Sequence, residues 1–357
     1  NAGIDNIFLE TYYHGKTIFP SQTMTKYGFI RQNEDYVGFD PLRIWINEAH
    51  KRGIKVHIWF ETFYVGNKPP ETNAGYILAK KPEWANYQKK NADSDTIAYS
   101  VSEHNGYFID PANPEVQNFL YELLCEIITR YKPDGINLDY IRYPQSLDTI
   151  YSNYDMSNWG YTKYARDEFF KMYGVDPIEL KYTDPLWFQW RAYRCNKVTS
   201  FVRRVSVLCR FNKIQITTVI FPNRNLALNT KMQDWKTWSM NNFVDGFTPL
   251  FLTCNDMTAI NLMEEILRNK SASTKLYAGL FVTFMNGSSA DLMKQIHAAR
   301  KYCLNGLIIF DYAHLTDYYV DTLTESVFKS NKKEIVITDT AKSQQVKYST
   351  GNKRGGN

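Results

Sequence analysis

The chain has 357 residues, 44% of them apolar, which is enough to bury one large core or two small ones. Its formal net charge of +5 sits mostly in the tail. From Asn331 on, Lys332, Lys333, Lys342, Lys347, Lys353 and Arg354 outnumber Glu334 and Asp339, so the near-neutral body offers no basic face for nucleic acid.

Short runs rich in Ile, Val, Phe and Leu recur along the chain, most of them followed by a helical pattern. IDNIFLE (4–10) reads as the first strand. DPLRIWINEAHKRG (40–53) reads as a helix, with Asp40 as cap, Pro41 at the first turn and Gly53 as stop. KVHIWFE (55–61) is the next strand, and YFID (107–110) a short further candidate. NPEVQNFLYELLCEIITRYKP (113–133) places apolar residues at 116, 119, 120, 123, 124, 127 and 128, the stripe of a helix packed on one side. GINLDYI (135–141), IQITTVIF (214–221), VDGFTPLFL (244–252), KLYAGLF (275–281) and NGLIIFD (305–311) complete the strands. Helical patterns separate them: YTKYARDEFFKMYG, FQWRAYRCNKVTSFVRRVSVLC, MTAINLMEEILRN and SADLMKQIHAARKYC.

Alternating strands and helices define an α/β protein with parallel sheet, either doubly wound or a closed (β/α)8 barrel. No GxGxxG or GxxxxGK loop supports a nucleotide-binding open sheet, and the even spacing of eight units favours the barrel, over residues 1–330. Residues 331–357, polar and Gly-rich towards the end, are expected to be a flexible tail or linker. Two long insertions, 62–106 and 142–187, fall where a barrel carries its active-site loops.

Five scattered cysteines (Cys125, Cys195, Cys209, Cys254, Cys303) without a CxxC read as free thiols, four of them within apparent element interiors. No apolar run approaches the ~18 residues of a membrane span, and no secretory leader is visible. HxH and HExxH are absent from the six-histidine set, as is GxSxG, so neither a metal, nor a cofactor, nor a serine nucleophile is expected.

Strand parity sorts the acids. Val56, Ile58 and Phe60 share one face of KVHIWFE, and His57, Trp59 and Glu61 the other; Ile136, Leu138 and Tyr140 oppose Asn137 and Asp139. With the apolar faces under the helices, Glu61 and Asp139 point into the barrel mouth. Glu10 and Asp311 end their strands similarly, whereas Asp110, before Pro111, serves equally well as a turn cap. Arg142 offers Asp139 a partner, and tyrosine hydroxyls offer donors.

Two carboxyls over an aromatic cleft are the equipment of a glycosidase, and the 26 Tyr, 21 Phe and 8 Trp supply flat surfaces for sugar rings. The catalytic pair is Asp139 and Glu61; Glu10, Trp59, Asn137, Tyr140, Arg142, Tyr143 and Asp311 are expected to contact a polysaccharide or oligosaccharide. Retention or inversion, and the oligomeric state, stay open. A catalytically silent glycan-binding barrel and a sugar-transferring one are the alternatives.

WFETFYVG, ILAKKPEWANYQ, the block YFIDPANPEVQNFLYELLCEIITRYKPDGINLDYIRYP, FQWRAYRCNKVTSFVRRV and QDWKTWSMNNFVDGFTPL resemble, in that order, the bacterial glycosyl-hydrolase-like family 10 proteins. The resemblance implies a TIM-barrel glycoside hydrolase fold, export to the cell envelope or beyond it, and, for some members, action on peptidoglycan glycan strands lacking peptide stems. It places the family's strand-end acid on Asp139 and its WFE acid on Glu61, with Tyr140, Arg142 and Tyr143 in the same motif. It also implies one more strand before NAGIDNIFLE, so the barrel is expected to lack its first strand, with YFID a small piece in a loop. VDGFTPLFL departs from the family in lacking the Met and Tyr that often follow its Pro.

Overall fold

The computed structural model describes residues 3–72 and 76–327 with their side chains, and the backbone of two further strands. The chain divides into two compact units, one of Asn6–Gly246 with Lys270–Thr274, the other of Asn1–Asp5, Phe247–Asn269 and Lys275–Asn357.

The first unit holds β1 (Asn6–Tyr13), β2 (Lys16–Thr17), β3 (Lys55–Glu61), β4 (Gly135–Asp139) and β5 (Gln215–Thr218). Their order is β2-β1-β3-β4-β5, antiparallel between β2 and β1 and parallel across the rest. Parallel neighbours need a long crossover, and each is a helix. Pro41–His50 joins β1 to β3, Pro114–Tyr131 joins β3 to β4, and Trp187–Phe211 joins β4 to β5. The predicted caps are present: the Arg43 N–H donates to Asp40 Oδ1 at 3.1 Å, and the Glu115 N–H to Asn113 Oδ1 at 2.9 Å. On Pro114–Tyr131, Val116, Phe119, Leu120, Leu123, Leu124, Ile127 and Ile128 are all buried, each stabilising the fold by about 1.5–3 kcal/mol. That stripe is the one the 3.6-residue period predicts.

Parallel register stacks like faces. Ile58, Ile136 and Ile216 are direct partners on the helix-covered face, while Trp59, Asn137 and Thr217 are partners on the other. Low on this second face, Phe8 stacks on His57 with centroids 4.7 Å apart. Gly135 lies beside them because any Cβ there would meet His57 Nδ1 at 2.3 Å. The sheet can close around the imidazole only where its neighbour has no side chain.

YFID makes only isolated antiparallel bridges, Tyr64 to Phe108 and Ala85 to Ile109, and is a loop piece rather than a barrel strand. The second insertion has a core of its own, in which Tyr154, Tyr161, Phe169, Trp187 and Trp190 pack together. Arg194 is 0% exposed among them. Its guanidinium donates to Asn158 Oδ1 at 3.0 Å and to the Trp159 carbonyl at 2.7 Å, and lies 4.9 Å from the Trp190 ring centroid.

β6 (Gly246–Phe247) falls where the units divide. In the second unit β7 (Leu250–Phe251), β8 (Lys275–Phe281) and β9 (Gly306–Phe310) are parallel, with Asp256–Asn269 and Ser289–Lys301 as the intervening helices. VDGFTPLFL, expected as one strand, is split into β6 and β7 around Pro249, which has no N–H to donate. β10 (Lys332–Ile337) and β11 (Val346–Thr350) pair antiparallel within the segment expected to be a tail; the remainder of 328–357 lies outside the described residues.

The cysteines are free, but only Cys195 and Cys209 are buried; Cys125 is half-buried and Cys254 and Cys303 are exposed. No helix among the described residues is long and apolar enough to cross a membrane.

Candidate active site

Glu61 and Asp139 end β3 and β4 as direct register partners, so the two acids stand side by side on the same face at the C-terminal edge of neighbouring strands. Such strands lie about 4.8 Å apart. Glu61 is 5% exposed and Asp139 half-buried.

Each carboxylate is held by the backbone of an aromatic residue. The His14 N–H donates to Glu61 Oε2 at 2.6 Å, and the Tyr140 N–H to Asp139 Oδ1 at 2.6 Å. Both donors are in the left-handed region, with φ of 51° at His14 and 45° at Tyr140. Trp59, on the same face, adds a side-chain hydrogen bond to Asp139. Burial pushes the Glu61 carboxyl up to about 9; the His14 N–H opposes this, and the charges of Asp139 and Glu10 reinforce it. Burial also raises Asp139, to about 6, against the Tyr140 N–H, Arg142 and Trp59. Two like groups in one low-dielectric edge are thereby driven apart in acidity. At neutral pH one proton is shared out unequally: Glu61 keeps it and Asp139 is ionised.

Several sequence-based assignments are corrected. Tyr140 does not continue the apolar face of Ile136 and Leu138. β4 ends at Asp139, and the left-handed turn at Tyr140 sends its ring onto Tyr64, stacked at 4.5 Å. Arg142 has Glu103, not Asp139, as its ion-pair partner, at 2.6 Å. It acts on Asp139 through its charge alone. Tyr143 is 0% exposed, with its N–H on the Lys231 carbonyl, so it stands in the core and not on a rim facing substrate. Asn137 is also 0% exposed and accepts from Thr217 Oγ1 at 2.7 Å, one layer below the acids. Glu10 is exposed, in register with Trp59. Asp311 follows β9 in the other unit, where it accepts from the His314 N–H at 3.1 Å and caps a short turn. Asp110 is a buried turn cap, bonded to the Ala112 N–H and the Thr162 hydroxyl.

Two residues of the Arg142 cluster escaped the sequence reading. Glu103 comes from the first insertion and Lys231 from beyond β5; Lys231 Nζ lies 3.4 Å from Glu103 Oε1 and 2.9 Å from Gln145 Oε1. All three charged members are at most 7% exposed. Burial, with Arg142 next to it, lowers Lys231 well below the usual lysine range. The turn that delivers Glu103 is tight, since a Cβ at Gly106 would lie 2.2 Å from the Tyr64 ring. A signal for it exists in EHNG, a Gly-ended turn with His104 and Asn105 at positive φ. Nothing in the local sequence around Lys231 marks it. Among the described residues no group of three His, Cys, Asp or Glu is placed to hold a metal ion.

Parallel βα units with acids at the C-terminal strand ends are the architecture of TIM-barrel glycoside hydrolases. An α-galactosidase from Lactobacillus brevis shares the fold at a TM-score of 0.54 and 13% identity, covering 91% of this chain and 35% of that one. An α-galactosidase from Geobacillus stearothermophilus does so at 0.50 and 10%, covering 91% and 37%. The chain belongs to the glycosyl hydrolase-like 10 family, whose profile matches residues 1–284. It is 32% identical over 151 residues to the glycosyl hydrolase DigH of Escherichia coli K12, a match covering 40% of this chain and 32% of DigH. With the glycosyl hydrolase YngK of Bacillus subtilis it shares 26% over 113 residues, 31% of this chain and 19% of that protein. The matched stretch thus spans about a third of these curated relatives or less.

Proposed function

We propose that the protein hydrolyses O-glycosidic bonds in a polysaccharide, with a bacterial cell-wall glycan as the leading substrate, and that Glu61 and Asp139 carry the reaction. The register pairing of the two acids at one sheet edge is the observation that carries this reading. Family membership and the glycosidase fold support it. The cell envelope or the exterior, where such a glycan lies, is the proposed site of action, and one barrel over 1–330 the proposed catalytic domain.

Glu61 is protonated at neutral pH, with Oε2 occupied by the His14 N–H, so Oε1 is the oxygen that delivers a proton to the leaving glycosidic oxygen. Asp139, ionised above about 6, attacks the anomeric carbon as the C–O bond breaks. Water then displaces Asp139 and returns its proton to Glu61. Neighbouring strands about 4.8 Å apart favour the close spacing, about 5–5.5 Å between carboxyls, of a retaining enzyme.

The test is reducing-end release from a glycan panel that includes peptide-free peptidoglycan strands and common plant and host polysaccharides. E61Q and D139N should each lower turnover by at least about 100-fold while still binding glycan. Activity should fall below pH about 6, as Asp139 gains a proton, and above about 9, as Glu61 loses its own. Binding without release of reducing ends by the folded wild-type protein would establish the silent-barrel alternative instead.

A further inference from the structure

The rings around the two acids form an unbroken series. Tyr13 lies parallel to His14, with centroids 3.8 Å apart and planes at 14°. His14 meets Tyr64 edge-on at 5.3 Å, and Tyr64 stacks on Tyr140. The series starts at the residue whose neighbour donates to Glu61 and ends at the residue that donates to Asp139. Tyr64, in the middle, is 3% exposed, so the free surface belongs to the ends. Tyr13 is 40% exposed, a large aromatic side chain left in solvent within electrostatic reach of Glu61.

We propose that Tyr13, backed by His14, is a stacking platform that binds one pyranose residue of the substrate beside Glu61. The inference rests on the reading that the substrate is a glycan, and adds to it a subsite no comparison assigns. The C–H face of a pyranose is apolar and flat, and an aromatic ring buries it without demanding a hydrogen bond. Burial, together with Lys16 and Lys68, holds the His14 imidazole at about 4, so the backing ring is neutral and brings no charge to desolvate. Rigidity comes from the turn. Tyr13 and Lys16 are register partners across a two-residue loop, His14 and Gly15, both at positive φ, as a tight hairpin requires. The platform is therefore in place before substrate arrives, and little entropy is lost on docking.

The experiment compares Y13A, Y13F and wild type in two assays. The first measures kcat and KM on peptide-free peptidoglycan strands. Y13A should raise KM about three- to tenfold, the worth of one ring stack, with a smaller change in kcat, and Y13F should return KM to within about twofold of wild type. The second titrates chitohexaose and purified peptide-free strands against D139N and D139N/Y13A, reading affinity without turnover; the same three- to tenfold weakening is expected for whichever glycan D139N binds. If wild type releases no reducing ends but the titration still shows the Tyr13 effect, the hydrolase reading fails and the platform stands. Unchanged KM and unchanged affinity in Y13A, or Y13F as impaired as Y13A, would overturn the platform.

Discussion

Two arginines among the described residues of the first unit are buried, and their charges are held in opposite ways. Arg142, 6% exposed, shares Glu103 with Lys231, so three charges are packed together next to the strand-end acids. Arg194, 0% exposed, has carbonyl and amide oxygens and the Trp190 face around it and no carboxylate within ion-pair distance among the described residues. The carbonyls around Arg194 do not titrate, which makes it a fixed staple between the second insertion and the helix Trp187–Phe211. The Arg142 cluster contains Lys231, which burial makes a weaker base, and its charges lie within electrostatic reach of Asp139. One arginine holds shape; the other sets charge.

Removing the shared carboxylate should separate the two regions most sharply. E103L leaves Arg142 and Lys231 buried together without a counter-charge, and chemical denaturation should show a loss of about 3–5 kcal/mol. R194M strands no charge, only the acceptors at Asn158 and Trp159, so its loss should be smaller, about 1–3 kcal/mol. A larger loss for R194M than for E103L would break the comparison.

K231M should have the smallest effect at neutral pH, within about 1 kcal/mol and in the stabilising direction, because it removes a cation the cluster already disfavours. The sign follows from proton counting. Lys231 binds its proton less tightly folded than unfolded, so wild type gains stability as pH rises towards the unfolded lysine value of about 10.4. The advantage of K231M should shrink between pH 7 and pH 10 in denaturation midpoints. A constant difference would show that Lys231 does not titrate in that window.

Legibility in the sequence followed regularity. The βα alternation, the capped helices and the stripe on Pro114–Tyr131 could be read because burial imposes a period on them. Parity worked along KVHIWFE and GINLD, and it put Glu61 and Asp139 on one face. It stopped working at Tyr140, where one left-handed residue breaks the strand alternation, and beyond it Arg142 pairs with Glu103 and Tyr143 is buried in the core. Glu103 and Lys231 lie 39 residues before and 89 after Arg142 in numbering and meet it only through loops, which have no period to read. His14 was within reach of inspection: YYHGK carries the two-residue turn that folds its N–H onto Glu61.

The left-handed pair His14 and Tyr140 has a consequence for anyone redesigning this chain. A non-glycine residue held there costs about 1–3 kcal/mol, and glycine would relieve the cost without removing either N–H. A search for thermostable variants would therefore be drawn to these two positions first. It would keep both acids hydrogen-bonded and relax the backbone, while deleting two of the four rings in the series and the packing they contribute. Backbone relief and ring packing compete at single residues in this molecule, so a melting temperature would report only their difference.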